Sequence, residues 1–368
     1  MSMVSWFFIG YFFLLFGFQI LMIFLLISLK EDKPAKENTT YPFISILIAA
    51  RNEEHNILSC LEAIAALSWP ADKLEVLIGN DQSSDQTENI VLNFINNKNN
   101  YRLITIDHSL GNAKGKANVL AILTLQAKGE FFFFTDADIQ VPKNWVHSLL
   151  ANYNEKIGIV SGATMTEGNS LFDFCQRLDW VYAFGMVKIA SDCNIPVSAV
   201  GNNMMISRKA YESTGGYAAI PFSVTEDLQL FLETLKKGWK YKNLMSPDNL
   251  ALSKPIESFP KLLSQRKRWT KGAMRLPAVL LLFLFVQALF IPAIIITLTF
   301  FPIMGIYFWS LKIMLQQFSI FLSFRKIGEK YSVLKSLLIY EIYSGLFSLI
   351  VLLNYWIPTK VKWKGREY

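Results

Sequence analysis

Cysteine is scarce in this chain. Cys60, Cys175 and Cys193 are the only three in 368 residues, and their spacing matches neither a metal-ligand pattern nor a disulfide framework. A cysteine-built zinc module and a disulfide-stapled secreted scaffold are therefore excluded, and the thiols are expected to be reduced in a cytosolic domain. Charge is scarce at both ends. Val4 to Leu29 carries none, and the chain is mostly apolar again from Leu276 onward. The N-terminal run also lacks the positive n-region and small-residue cleavage site of a secretory signal peptide. It is long enough to span a bilayer as an uncleaved anchor, and Lys30, Lys33 and Lys36 follow it. The positive-inside rule then puts the N-terminus outside and the next domain in the cytoplasm. No interleaving of basic and aromatic residues runs through the middle of the chain, so the net charge of +7 does not point to nucleic acid. Lys and Arg gather instead beside the apolar runs, as flanks facing anionic lipid do.

The C-terminal third is harder to count. Leu276 to Phe324 is too long for one span and is interrupted by Pro292, Pro302 and Lys312, while Ser336 to Ile357 makes another candidate. Two helices in the first block and one in the second would put the tail outside. Lys360, Lys362, Lys364 and Arg366 in that tail oppose this. One resolution is an amphipathic helix in the membrane interface over Trp309 to Phe324, which carries Lys312, Gln316 and Gln317. The expected organisation is a transmembrane anchor over 1–30, a cytoplasmic domain over 41–270, transmembrane or interfacial helices over 276–358 and a basic tail over 359–368.

What is present in the middle is an alternation of short apolar runs and longer helical ones. Phe43 to Ala49, Leu74 to Gly79, Arg102 to Ile106 and Phe131 to Thr135 read as strands. Glu54 to Leu67, Thr87 to Ile95 and Lys116 to Ala127 read as helices. Strands apolar throughout and separated by helices predict an α/β domain with a mostly parallel sheet covered on both faces. Ligands of such sheets bind beyond the carboxyl ends of the strands. The acidic clusters of this half follow strands of that type.

After the first strand come Arg51 and Glu53, and after the second Asn80, Asp81 and Asp85. Both places suit carboxylates and amides that grip a nucleotide base and ribose, although Asn80 to Thr87 taken by itself reads more simply as a turn capping the next helix. Asp136 and Asp138 leave a run of four Phe together, and carboxylates so spaced can share a hard cation with diphosphate oxygens. A helix cap before Pro142 is the plainer reading. Lys114 and Lys116 can reach phosphates or stand as solvated charges. Glu226 and Asp227 precede an apolar helical stretch, which suits either an N-cap or a general base at a helix N-terminus. Gln265-Arg266-Lys267-Arg268-Trp269 offers two guanidiniums for phosphate and an indole for a sugar face. It is also what a basic flank with an interfacial Trp looks like.

Taken together, these residues resemble the membrane-anchored branch of glycosyltransferase family 2, which has the GT-A fold, from about Tyr41 to Trp269 and loosely beyond. The resemblance implies an α/β, GT-A type nucleotide-sugar-binding domain flanked by transmembrane helices. It places Asp81 on the nucleotide base, with Arg51, Glu53, Lys116, Asp136, Gln265 and Arg268 also on the donor. Asp138 and Asp136 would hold a divalent metal, Mg2+ or Mn2+. Asp227, with Glu226 beside it, would be the catalytic base, and Trp269 would line the acceptor site. Asn80 departs from the family, which often has a second aspartate there. The implied reaction moves a sugar, with inversion, from a nucleotide-diphosphate donor, a UDP-sugar by expectation, to a hydroxyl of a membrane lipid. A processive polysaccharide synthase is the alternative, and a catalytically silent membrane scaffold a remote one. The expected location is the cell (inner) membrane.

Overall fold

The computed structural model describes residues 3–29, 31–34, 41–332 and 339–357, and the backbone of 362–363 and 366–367. Lys30 and Lys36, residues 336–338 of the expected last span, and Lys360 and Lys364 lie outside the described residues.

Helix α1 (Met3–Ser28) is followed by β1 (Ile44–Ala50), α2 (Ile57–Ala65), β2 (Leu74–Asn80), α3 (Thr87–Ile95), β3 (Tyr101–Thr105), α4 (Lys116–Gln126) and β4 (Phe131–Asp136). Every strand and helix expected in this half forms, with ends displaced by three residues at most. The chain then adds β5 (Ile139–Gln140), α5 (Trp145–Ala151), β6 (Ile157–Ser161), β7 (Thr164–Thr166) and the long α6 (Leu171–Asp192). After these come β8 (Asn203–Ser207), α7 (Arg208–Thr214), α8 (Gly216–Ala219), α9 (Glu226–Lys236), β9 (Lys240–Asn243), β10 (Ala251–Ser253) and α10 (Phe259–Ala273). The last described helices are α11 (Ala278–Ala288), α12 (Phe290–Phe300), α13 (Pro302–Lys326) and α14 (Ile339–Trp356), and β11 (Lys362–Trp363) pairs with β12 (Arg366–Glu367).

The main sheet has the order β3-β2-β1-β4-β8-β6-β9. Its first four strands are parallel, β8 is antiparallel to both neighbours, and β9 is parallel to β6. The sheet is thus mixed and mostly parallel, as the sequence predicts. Alternation along β4 explains its four Phe: Phe133 joins the core on one face of the sheet, Phe132 and Phe134 the core on the other. Each fully buried Phe contributes about 2 kcal/mol of transfer free energy. The pairing of Ala50 with Asn80 and of Ala49 with Asp136 brings the ends of β1, β2 and β4 level, so the loops they feed meet at one edge. A second sheet has the order β5-β10-β7, and two residues separate the end of β4 from its β5.

Two described helices are long and apolar enough to cross a membrane, Phe8–Ser28 within α1 and Ile339–Trp356. The pair α11 and α12, bent by 47°, counts as a third if it is one broken span. These helices leave large apolar side chains uncovered, such as Phe13, Phe24, Leu353 and Trp356, as a lipid-facing surface would. The expected interfacial segment Trp309 to Phe324 belongs to the 25-residue α13. Its Lys312, Gln316 and Gln317 are buried against neighbouring helices, while Met314, Phe318 and Phe321 are exposed. Its polar side is therefore turned into the protein and not toward water. The chain leaving α1 is tied to the α/β domain through Asp32, which accepts from Lys188 Nζ at 2.6 Å and from the Met245 N–H at 2.6 Å.

Candidate active site

A cavity of about 1900 Å3 opens at the carboxyl edge of the sheet and continues down to α11, α13 and α14. Its upper wall carries Glu53, Lys116, Asp136, Asp138, Glu226 and Asp227, and α10 adds Gln265, Arg268 and Trp269. Segments nearly a hundred residues apart are brought together by the short loop after β4 and the first turn of α9. Of the residues singled out from sequence, Arg51 and Asp81 do not line this cavity. They lie beside it, where Arg51 donates to the Asp81 carbonyl at 2.7 Å and its guanidinium stands 3.8 Å from the Asp81 carboxylate.

Lys116 is the centre of the charged cluster. Its ammonium is 2.5 Å from Asp136 and 3.1 Å from Glu226. Burial opposes its charge, yet Asp136, Glu226 and Asp227 together raise its pKa. The lysine divides two pairs of acids. Burial works against an ionised Glu226, but Lys116 and Arg268 outweigh it and lower its pKa. Asp227 is raised to about 6, first by burial and then by the charge of Glu226. In the other pair, Asp138 is raised to about 7 by burial, Asp136 and Glu53. Acids whose environments drive them apart in this way can take different roles.

Asp227 lies in the first turn of α9, one residue past the helix start, and Thr225 holds the N-cap position. The plainer reading of Asp227 as an N-cap therefore does not hold. Its Oδ2 accepts from the Gly201 N–H at 3.1 Å and its Oδ1 from the Leu228 N–H at 2.8 Å. These donors and the helix dipole oppose the upward shift. Gly201 is there for room: a Cβ would come within 2.5 Å of the Asp227 Cβ. Gly272 on α10 does the same for Thr225, 3.0 Å from where its Cβ would be, so α10 packs closely on the α9 terminus.

The turn after β2 resolves differently. Asp85 is engaged within the turn, accepting from the Thr87 N–H at 3.0 Å and the Glu54 N–H at 3.1 Å, while Gln86 holds the N-cap position of α3. Buried Asn80 donates to Glu88 at 2.8 Å and accepts from the Ser83 N–H at 3.0 Å, so it shapes the turn. Lys114 lies with its ammonium 5.6 Å from the centre of the Phe222 ring.

The neighbouring arginines of the basic pentapeptide part company. Both border the cavity, but Arg268 acts on Glu226, whereas Arg266 stacks over Trp269 at 4.4 Å and meets Asp179 at 3.4 Å. Trp269 in turn meets Trp180 edge-on at 5.0 Å. Asp179, on α6, also accepts from Tyr340 at 3.0 Å and Tyr343 at 3.1 Å, both on α14. Sequence reasoning missed Asp179, Gly201 and Gly272. Only Gly201 gave a signal, as part of the Gly201-Asn202-Asn203 run.

Among the described residues no three His, Cys, Asp or Glu side chains form a ready metal cage. The acids nevertheless suit a hard dication. Five carboxylates, Glu53 included, gather around two cations, Lys116 and Arg268. Mg2+ is commonly held by one or two carboxylates with substrate phosphates completing the shell. Asp136 and Asp138 fit that requirement.

The model of Glycosyl transferase family 21 matches residues 10–368. A Beta-monoglucosyldiacylglycerol synthase of Synechocystis is 24% identical over 242 residues, 63% of this chain and 48% of the relative. A Poly-beta-1,6-N-acetyl-D-glucosamine synthase of Staphylococcus epidermidis is 25% identical over 237 residues, 62% of this chain and 54% of the relative. The chain thus matches about half the length of these curated relatives. A solved mannosyltransferase from Pyrobaculum calidifontis, in complex with GDP-Man and Mn2+, superposes with a TM-score of 0.60 at 17% identity, covering 96% of this chain and 99% of that one. The superposition bears out the expected GT-A fold. The motif resemblance pointed to family 2, but the family model that matches nearly the whole chain is a different one: this glycosyltransferase belongs to glycosyl transferase family 21.

Proposed function

We propose that this protein transfers a sugar, with inversion, from a nucleoside-diphosphate donor to the hydroxyl of a membrane lipid. The observation that carries this reading is the continuity of the cavity, from Asp227 to apolar side chains such as Leu281, Phe283 and Leu352. An acceptor with its hydroxyl at Asp227 can keep its hydrocarbon between the helices without crossing water.

In this reading Asp227 takes the proton of the acceptor hydroxyl as that oxygen attacks the anomeric carbon and the bond to the diphosphate breaks. Glu226 and the N–H groups of Gly201 and Leu228 hold the Asp227 carboxylate in place and set its basicity. Arg268 faces the departing diphosphate, while Lys116 pairs with Asp136 and Glu226 and lowers the pKa of Glu226. Arg51, Glu53 and Asp81 hold the nucleoside part of the donor, Gln265 supports its phosphates, and Trp269 offers its ring to the acceptor. Asp138 and Asp136 would hold the divalent metal, which when bound neutralises charge on the leaving diphosphate. The Mn2+ and GDP-Man in the archaeal neighbour support a metal and a nucleotide donor. The synthase that makes glucosyldiacylglycerol supports a lipid acceptor, and the poly-N-acetylglucosamine synthase is the reason to test for polymer. We place the α/β domain, over 41–270, on the cytoplasmic side of the cell membrane, with α1 as anchor and the helices of 276–358 around the acceptor.

The test is to incubate purified enzyme in native lipid with radiolabelled UDP- and GDP-sugars and Mg2+ or Mn2+. Label in organic-extractable lipid, lost on chelation, is expected. Label in alcohol-insoluble, high-molecular-weight product overturns the lipid reading.

A further inference from the structure

The basic residues Arg266, Lys267 and Arg268 stand in consecutive positions on α10, and consecutive helix positions point about 100° apart. Arg268 acts on Glu226 of α9, and Arg266 meets Asp179 of α6 at 3.4 Å. Lys267 turns a third way. Every other residue from Ser264 to Thr270 borders the cavity, whereas Lys267 does not and is only 5% exposed. Its Nζ donates to the Ile357 carbonyl at 2.6 Å, immediately past the last residue of α14.

A carbonyl at a helix end has no partner within its own helix, and a lysine donor is one way of satisfying it. Here the donor comes from 90 positions away, so the bond joins two helices. Phe259 and Phe347 join the same two, with ring centres 5.7 Å apart. Near the start of α14, Tyr340 and Tyr343 donate to Asp179, which meets Arg266. Adjacent residues of α10 are thus connected to opposite ends of α14, one through Asp179 and one directly. Sliding or turning α10 against α14 breaks one of these contacts. The same movement would shift Arg268, the next residue along.

We infer that Lys267 is a positioning residue: by holding the end of α14 it fixes where α10 stands, and through that the placement of Arg268 at the departing diphosphate. It does not border the cavity, so it acts through its neighbour and not on the substrate. This rests on the sugar-transfer reading above and adds to it a role for the C-terminal helix in the diphosphate step.

The experiment follows total label transferred from nucleotide sugar by the purified full-length enzyme in nanodiscs. Wild type, Lys267→Met, Lys267→Arg, Arg268→Lys and the double variant Lys267→Met/Arg268→Lys are compared. The methionine nearly keeps the length of the side chain and removes the donor. Its kcat is expected to fall about 10-fold with the donor KM unmoved, as for a small displacement of a group at the reacting centre. Lys267→Arg, which keeps a donor, should stay within about 2-fold of wild type. In the Arg268→Lys background the methionine should lower kcat by less than about 2-fold, because residues acting as a unit are not additive. An unchanged kcat in Lys267→Met, or an equal loss with and without Arg268, overturns the positioning role, while transfer by the wild type keeps the broader reading. If the methionine variant does not fold, Lys267→Arg and the shorter Lys267→Gln decide. An active arginine variant beside an impaired glutamine variant is expected, and equal activity overturns the role. No transfer from any nucleotide sugar by the wild type overturns both readings.

Discussion

Two lysines line one cavity in different settings. Lys116, at the sheet end, bridges Asp136 and Glu226 and leaves Asp138 and Asp227 with raised pKa values. Lys312, at the helix end, meets the single carboxylate of Glu341. Anions exceed cations at the first, and charges match at the second. A surplus of buried negative charge attracts a proton or a dication, which is what proton transfer and diphosphate departure require. A matched pair attracts neither, and is compatible with an uncharged, apolar occupant.

The largest expected effect that sharpens this contrast is at the base. Asp227→Asn should lower transfer by about 10³-fold, the range of general-base catalysis, while nucleotide binding by calorimetry stays unchanged. Full activity in that variant would remove Asp227 from its role. Gly201→Ala comes next, because its methyl meets Asp227 and shifts it. A loss of about 10²-fold in kcat is expected, with little change in donor KM, and an unaffected kcat would mean the carboxylate position is not critical.

Lys116→Met breaks the balance of the sheet end by stranding Asp136 and Glu226. Removal of one partner of a buried pair costs about 3 kcal/mol, to be read as lower thermal stability in detergent. An unchanged melting temperature would show that the cluster relaxes by taking up protons. Asp179→Asn loosens Arg266 and the stacked Trp269, and should raise the acceptor KM about 5-fold without moving the donor KM. Equal changes in both would mark a structural role only.

The smallest effect is on pH dependence. Asp227 is raised to about 6, so its carboxyl is protonated below that pH and activity should rise with pH through about 6. The neighbouring charge of Glu226 contributes to the shift, and Glu226→Gln should therefore move the rising limb to lower pH. A limb that stays in place would assign the shift to burial alone.

The donor half was legible because local pattern and position coincide there. Thr87–Ile95 is helical over the residues read from its period, and a strand buried on both faces ends at Asp136, with Asp138 two residues on. Asp85 shows the limit: its composition suits a ligand as well as a cap, and only its bonds to Thr87 and Glu54 tell them apart. The helices were legible as apolar segments but not as a packing. Lys312, Gln316 and Gln317 suggested a surface helix, whereas the neighbours of α13 turn that polar side inward. Asp179 had no sequence signal, since one acid on a long helix is ordinarily solvated.

From the sequence by itself came the order of the motifs, the strand ends that carry them, and the apolar segments on either side. These depend on residue type and period, which are local properties. Tertiary structure alone decided that Lys116 stands between two acid pairs, that Gly201 makes room for Asp227, that Arg266 and Arg268 take different acidic partners, and that one cavity joins the base to the helices. Those outcomes depend on distances between residues far apart in the chain, and electrostatic coupling and close packing are set by those distances.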